Sequence, residues 1–442
     1  VIHLAWLLAA ASTAASAQDA PRPASGPAAS GDSKSERHAV GDPVSGPVGP
    51  LVHEQADPRF LVDTIPPDAA RTAISRGVSF LLKNQNEDGS WATSTPESLF
   101  ELNYSNASFY AWKMAGGALT CQTLMMVEET PERRRALEKA LDYILKVERP
   151  LRGSDWDIDN NWAALCIFAM LVDAAQDPRF QSPEWKSRIE TRASEYAAHL
   201  AANQDPLGGW GYYEGPVISR RPTWSTSFAT ALVVPSLVVA KKKLGWTVDE
   251  AMTRRALEYV QNCALPNGAY EYDLRPIPRL NGGEIINDVK GSLSRIQVCN
   301  WARREAGDPK VTDEKIREGL RLFFEHHRFL DVARQKPVPH EAYYANAGYF
   351  YYFGHYFAAR AINELPPEER EAWHAKLRAK LVPVQGNDGS SIDFPGSFYS
   401  YTYATSFATM ALQLGVQTPA ATSESRTPPA PTKPAPAAGA PR

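Results

Sequence analysis

The sequence predicts an all-α fold: an (α/α)6 toroid of six helical hairpins, with an inner and an outer helical barrel. Three observations lead there. One apolar template, at offsets 0, 4, 7 and 8, recurs six times and marks one face of an α-helix each time. Between these one-faced helices lie runs that are apolar all round, and such a helix must be buried all round. Finally, a turn signature of Gln, Gly four residues on and Trp six residues on occurs at Gln85, Gly89 and Trp91 and at Gln204, Gly208 and Trp210. A third copy, Gln385, Gly389 and Ser391, has lost the Trp. One unit repeated along a chain is the mark of a repeat architecture.

Taken in order, the outer template is met by Ile74, Val78, Leu81 and Leu82, then by Leu137, Leu141, Ile144 and Leu145. It recurs at Ile189, Ala193, Tyr196 and Ala197, at Met252, Ala256, Tyr259 and Val260, and at Ile316, Leu320, Phe323 and Phe324. The sixth copy, Trp373, Leu377 and Leu381, has Lys380 in place of one apolar residue. The all-apolar runs include 162–172, 228–240, 345–361 and 403–414, and Pro235 is expected to kink the second. Outer helix, turn and inner helix thus alternate at about 60 residues per hairpin. Six pairs favour a closed ring over an open superhelix, because no end repeat carries an obvious polar cap.

The 442 residues are 43% hydrophobic, enough for a sizeable core, and the net charge of −3 leaves no electrostatic footprint for nucleic acid. Residues 1–17 form a short apolar run ending Ala15-Ser16-Ala17, the shape of a signal peptide, although His3 is the only basic residue near the start. This predicts a secreted or periplasmic protein; an Ala-rich cytoplasmic leader is the alternative. Residues 18–64 and 417–442 are rich in Pro and Ala and read as disordered tethers, leaving 65–416 for the toroid. Cys121, Cys166, Cys263 and Cys299 lack C-x-x-C spacing and suit buried apolar positions, with a Cys121–Cys166 bridge open if the protein is exported.

The string Arg76-Gly77, Phe80-Leu81-Leu82, Gln85, Gly89, Trp91 resembles the QW repeat of squalene and oxidosqualene cyclases, whose helical barrel is shared with the β subunits of protein prenyltransferases. Arg192-Ala193, Tyr196, Gln204, Gly208 and Trp210 match with a short insertion, and Lys139-Ala140 and Arg255-Ala256 begin helical halves alone. The resemblance implies that each Gln ties its turn to the next helix with the Trp stacked beneath, a stabilising device that marks no active site. It also implies a proton donor. Those cyclases protonate an alkene with the third residue of Asp-x-Asp-Asp, and Asp157-Ile158-Asp159-Asn160 places Asp159 there with Asp157 beside it. Asn160 departs from the pattern and removes one carboxylate. Read from the residues alone, the same segment is a helix N-cap. The zinc-binding Asp-x-Cys pair of the prenyltransferases is absent, Asp288 and Cys299 being too far apart, and so is the thioester motif of complement-type toroids. No metal or cofactor is implied.

Aromatic residues crowd the starts of the inner helices. Trp162, Trp224, Trp301, Tyr343, Tyr344, Tyr399 and Tyr401 are the candidate ligand-binding positions, although packing between helices accounts for many such rings. Aromatic faces can stabilise a carbocation, which suits an isoprenoid or other apolar ligand, or stack on a carbohydrate. The carbohydrate reading needs two carboxylates about 5–10 Å apart. Its candidates are Asp157, Asp159, Glu214, Asp273, Glu284, Asp288, Glu341 and Asp393. His340, beside Glu341, is a candidate acid or base, whereas His355 reads as a core histidine and His326-His327 as partners of a helix dipole. A third reading is a non-catalytic binding scaffold at the cell envelope or a membrane surface, held by the two tethers.

Overall fold

The computed structural model describes residues 63–274, 285–334 and 336–416. The expected leader over 1–17, residues 18–62 of the expected linker and the tail over 417–442 lie outside the described residues. The described part holds thirteen α-helices: α1 (Pro67–Lys83), α2 (Asn106–Met126), α3 (Pro131–Lys146), α4 (Asn160–Gln176), α5 (Pro183–Ala202), α6 (Ser227–Lys242), α7 (Glu250–Asn262), α8 (Leu293–Glu305), α9 (Asp313–Glu325), α10 (Arg328–Arg334), α11 (Phe350–Ile362), α12 (Pro367–Leu381) and α13 (Tyr399–Leu414). No strand occurs among the described residues, only two isolated bridges, Trp210 with Thr226 and Ala264 with Tyr270.

Local signals account for the outer helices. Pro67, Pro131, Pro183 and Pro367 each open one, where the missing N–H costs nothing. Thr130, Ser182, Asp249 and Thr312 cap four of them through side-chain oxygens. The six inner helices are α2, α4, α6, α8, α11 and α13; each packs on the next, and α13 packs back on α2. The ring is closed. α3, α5, α7 and α9 each pack on the inner helix that precedes them, and α12 packs on both α11 and α13. The outer helix α1 packs on α13, so the sixth hairpin is assembled from the two ends of the folded chain. α6 continues through Pro235 to Lys242. The four cysteines are free and buried, and burial pushes the Cys121 thiol up to about 12.

The repeated turn does the same work three times. Gln85 Nε2 donates to Ala136 O at 2.9 Å, Gln204 Nε2 to Met252 O at 2.9 Å and Gln385 Nε2 to Ala73 O at 2.8 Å. Each bond reaches the following outer helix, and for Gln385 that helix is α1, so this copy joins the chain's end to its beginning. The Gly of each copy has φ between +91° and +104°, and a Cβ there would stand 2.3–2.6 Å from a carbonyl oxygen of that same helix. Trp91 and Trp210 donate their Nε1 to Leu81 O and Leu200 O, both at 2.8 Å. The third copy lacks the indole bond but keeps the backbone one: Ser391 N donates to Thr405 Oγ1 as Trp210 N does to Thr230 Oγ1.

Gln385→Ala leaves the Ala73 and Gly389 carbonyls without this donor and is expected to lower unfolding stability by about 1–3 kcal/mol in chemical denaturation. A loss below about 0.5 kcal/mol, the level of an ordinary surface change, would show that closure does not depend on it.

Candidate functional site

Because every pair of consecutive inner helices is separated by an outer one, all six inner helices run the same way and their amino-terminal ends share one rim. Asp157 and Asp159 sit there, just before α4, in different surroundings. Asp157 is fully buried and accepts from Ser105 N, Ser105 Oγ, Ser108 Oγ, Gly153 N and Ser154 N. Burial alone would raise its pKa, but these donors, Ser105 first, hold it below the usual carboxylate range. It is an anion that pins the loop to the start of α2.

Asp159 occupies the N-cap position of α4, yet it makes no capping bond: its φ of +64° turns the side chain away from the helix N–H groups. The carboxyl instead accepts from Trp112 Nε1 at 2.7 Å. Desolvation raises its pKa to about 6, with the Trp112 bond acting the other way. The residue nevertheless keeps accessible surface, as do Trp162, Tyr212 and Tyr349, which is how a group facing a hollow behaves. Tyr104, Tyr212, Tyr349, Tyr399 and Tyr403 have phenol pKa values raised chiefly by burial and further by the Asp159 charge acting through space. Tyr399 stacks on Trp112 with ring centroids 5.6 Å apart, and Trp162 meets Phe228 and Phe353 at 6.1 and 5.9 Å. The two neighbouring asparagines face elsewhere, Asn160 Oδ1 taking Glu214 N and Asn161 Nδ2 donating to Gly211 O.

The other sequence candidates are dispersed. Trp224 stacks on Tyr213 and donates to Asp273 at the same rim. Tyr343 is 77% exposed, Tyr344 packs on Phe329 under Lys290, and Tyr401 faces Phe80 of α1 and Phe398. These three do not face the hollow, because their places in the loop and on α13 turn them outward. Trp301 is nearer the carboxyl end of α8 and lines a separate cavity at the opposite end of the barrel. His340 lies near the rim with φ +63°, its ring nitrogens joined to Ala345 O and Tyr349 OH, and burial lowers its pKa. Neutral and bonded at both nitrogens, it reaches the hollow only through Tyr349.

His355 is buried and bonds His327 Nε2 and Tyr351 O. His327 turns inward to His355 and Asp331 instead of serving the end of α9. Among the carboxylates, Glu214 is buried with Arg149 and Arg220, Asp288 binds Lys290 N, Glu341 pairs with Lys336, and Glu284 lies outside the described residues. Asp393 is fully buried; burial lifts its pKa to about 7, and it accepts from Tyr403 Oη at 2.6 Å. Tyr104, Trp112 and Tyr212 are members of the Asp159 surroundings that the sequence left unmarked.

Fold and site together define an α/α toroid with two carboxyls of raised pKa, Asp159 and Asp393, each bonded to an aromatic side chain. Among curated proteins, the chain is similar to drimenyl diphosphate synthase of Streptomyces showdoensis, 28% identical over 208 residues, or 46% of this chain and 33% of that one. The matched region therefore spans about a third of the relative's length. Among solved structures it is similar to an inactive variant of the α-1,6-mannanase GH76A of Salegentibacter sp. HEL1_6 in complex with α-1,6-mannotriose (TM-score 0.50, 10% identity, 79% of this chain, 98% of that one). A possible member of the GH105 family from Klebsiella pneumoniae gives a TM-score of 0.51 at 11% identity over 80% of this chain and 94% of that one. No protein-family model matches the chain. The solved structures establish the α/α toroid, and at these identities the fold alone.

An acid whose folded pKa is raised makes the folded state bind more protons than the unfolded one between the two values. Stability should therefore fall as pH rises from about 4 to about 6 and stay flat above, for this group. Asp159→Asn is expected to remove that slope and to gain about 1–3 kcal/mol at pH 8, read by denaturation at several pH values. Trp112→Phe, which deletes the N–H holding the carboxyl down, should move its titration above about 6 in carboxyl-detected NMR. A carboxyl titrating near 4 in the parent protein contradicts the site as described.

Proposed function

We propose that the amino-terminal hollow binds an isoprenoid or another apolar ligand and that Asp159 donates a proton to it, in the manner of a cyclase that starts by protonating an alkene. One observation carries this reading: the Asp159 carboxyl is withdrawn from helix capping, raised in pKa by desolvation and enclosed by aromatic rings. A pKa near 6 keeps a sizeable protonated fraction at neutral pH. Tyr and Trp faces around it can stabilise the cation that protonation creates. In this reading Asp159 transfers its proton to an alkene carbon, the π pair forms the new C–H bond, and the carboxylate left behind is held by Trp112 Nε1. The similarity to a diphosphate synthase of the drimenyl type supports the same substrate class.

The rim itself supports delivery from an apolar phase. Each loop entering an inner helix exposes at least one large apolar side chain: Leu99 and Leu102, Leu151 and Trp156, Leu207 and Ile218, Ile285, Val338 and Tyr343, and Phe398. Apolar side chains gathered on one face mark an interaction surface, here one suited to the boundary of a lipid bilayer. No helix among the described residues is long and apolar enough to cross a membrane. In this reading an exported protein rests its mouth on the membrane.

The alternative is a carbohydrate-active enzyme. Asp393, a second buried acid with its pKa lifted to about 7 beside Tyr403, favours it, since glycoside chemistry uses two carboxyls with separated pKa values. Against it, Asp393 has no accessible surface in this state of the molecule.

Incubation with a panel of linear isoprenoids, free and as diphosphates, followed by mass spectrometry, is expected to give cyclised products from the parent protein. Asp159→Asn should reduce their formation at least about 100-fold while leaving ligand retention intact. Turnover of an oligosaccharide panel with no isoprenoid product favours the carbohydrate reading. Leu151→Ser with Ile218→Ser should reduce sedimentation with phospholipid vesicles; unchanged sedimentation refutes the membrane-facing rim.

A further inference from the structure

At the other end of the barrel, the carboxyl-terminal halves of all six inner helices enclose a cavity of about 80 Å³. Its wall residue Asp173 lies fourteen positions, about 21 Å, along α4 from Asp159. A septum of rings stands between the two ends: Phe353 meets Phe357 and Phe407 with centroids 4.7 and 5.8 Å apart. The cavity is therefore distinct from the hollow around Asp159.

Its lining is divided. One part is aliphatic and aromatic, with Leu119, Leu232, Val239 and Phe407. The other is polar, with the donors of Trp301 and Arg360 beside the acids Asp173 and Glu305. Trp301 is only 6% exposed, yet its Nε1 has no partner. A buried N–H without an acceptor is costly, so it points to a missing ligand or water. The Arg360 guanidinium lies 4.7 Å over the face of that same indole. Stacking occupies the face of the guanidinium; its N–H edge meets the Tyr356 hydroxyl, and five donors in one planar fork leave others for a further acceptor. Asp173 is the nearest acid, but it already accepts from Gln122 Nε2 at 2.6 Å. Glu305, also in the lining, acts on Arg360 only through space.

We propose that this cavity is a second ligand site, taking an aliphatic molecule with a carboxylate head, the head against Arg360 and the Trp301 N–H and the chain against Leu119, Leu232, Val239 and Phe407. The aliphatic wall excludes a purely polar anion. The unpartnered Trp301 N–H calls for an oxygen acceptor, which an amine does not supply. The site is independent of what Asp159 does.

Sodium octanoate titrated into the full chain, followed by calorimetry and by Trp fluorescence, is the direct test. Saturable one-site binding is expected, at least about tenfold tighter than for octanol or octylamine. Arg360→Met, which keeps the stem against Trp301, should weaken octanoate roughly ten- to hundredfold. Trp301→Phe, which deletes only the N–H donor and part of the ring, should weaken it roughly three- to tenfold. Asp159→Asn should bind octanoate like the parent. The proposal fails if octylamine binds as tightly as octanoate, if no saturable binding occurs, or if Asp159→Asn abolishes binding and so places octanoate in the other hollow. Should Arg360→Met not fold, the comparison of the three head groups on the unaltered chain decides the question by itself.

Discussion

Closure of the inner ring is the constraint on which everything else rests. α13 must lie against α2, and α1 against α13, although more than 270 residues separate these elements. Burial of α2 and α13 drives the contact, since both helices are mainly apolar and buried on nearly every side. Hydrogen bonds then fix its register: Gln385 reaches Ala73, and Arg76 reaches back to the carbonyls of Gly386 and Asn387. The same turn that joins neighbouring repeats elsewhere is used here to join the ends.

Closure with parallel inner helices gives the barrel two unlike ends. At the amino-terminal rim, backbone N–H groups are available to carboxylates, and Asp157 collects them. Asp159, two residues on, is turned by its left-handed backbone toward rings instead. Two carboxyls of one short motif are thereby pushed in opposite directions, one held ionised and the other held protonatable. At the far end the hydrogen-bond donors of Trp301 and Arg360 gather around an aliphatic wall. An aromatic septum keeps the two chemistries apart.

Much of the architecture was legible in the residues. The six outer helices were visible because a helix packed on one side must repeat its apolar positions at helical spacing, as Ile316, Leu320 and Phe323 do. α10 was not, since seven residues hold too few turns to show a period. α2 and α8 are harder to read than α4: Gly116-Gly117 and the buried Arg295, Gln297 and Arg303 break the apolar pattern, their polar atoms being satisfied by partners distant in sequence. Of the site, Asp159 was legible through its neighbours in the motif. Trp112, its hydrogen-bond partner, was not, because it lies 47 residues earlier in an ordinary apolar run.

The helices, their one-sided or all-sided burial, and the number of hairpins follow from periodicity and from turn residues within a few positions of one another. Packing across the ring makes the sixth hairpin join both ends of the fold, and it leaves Tyr343 exposed and Tyr401 against α1 while Tyr349 bonds His340 and Tyr403 bonds Asp393. It also placed Trp301 at the opposite end of the barrel from Trp162. Which end and which face a side chain occupies depends on how helices far apart in the chain are rotated against each other. That rotation is set by the packing of the closed ring, and no local pattern encodes it.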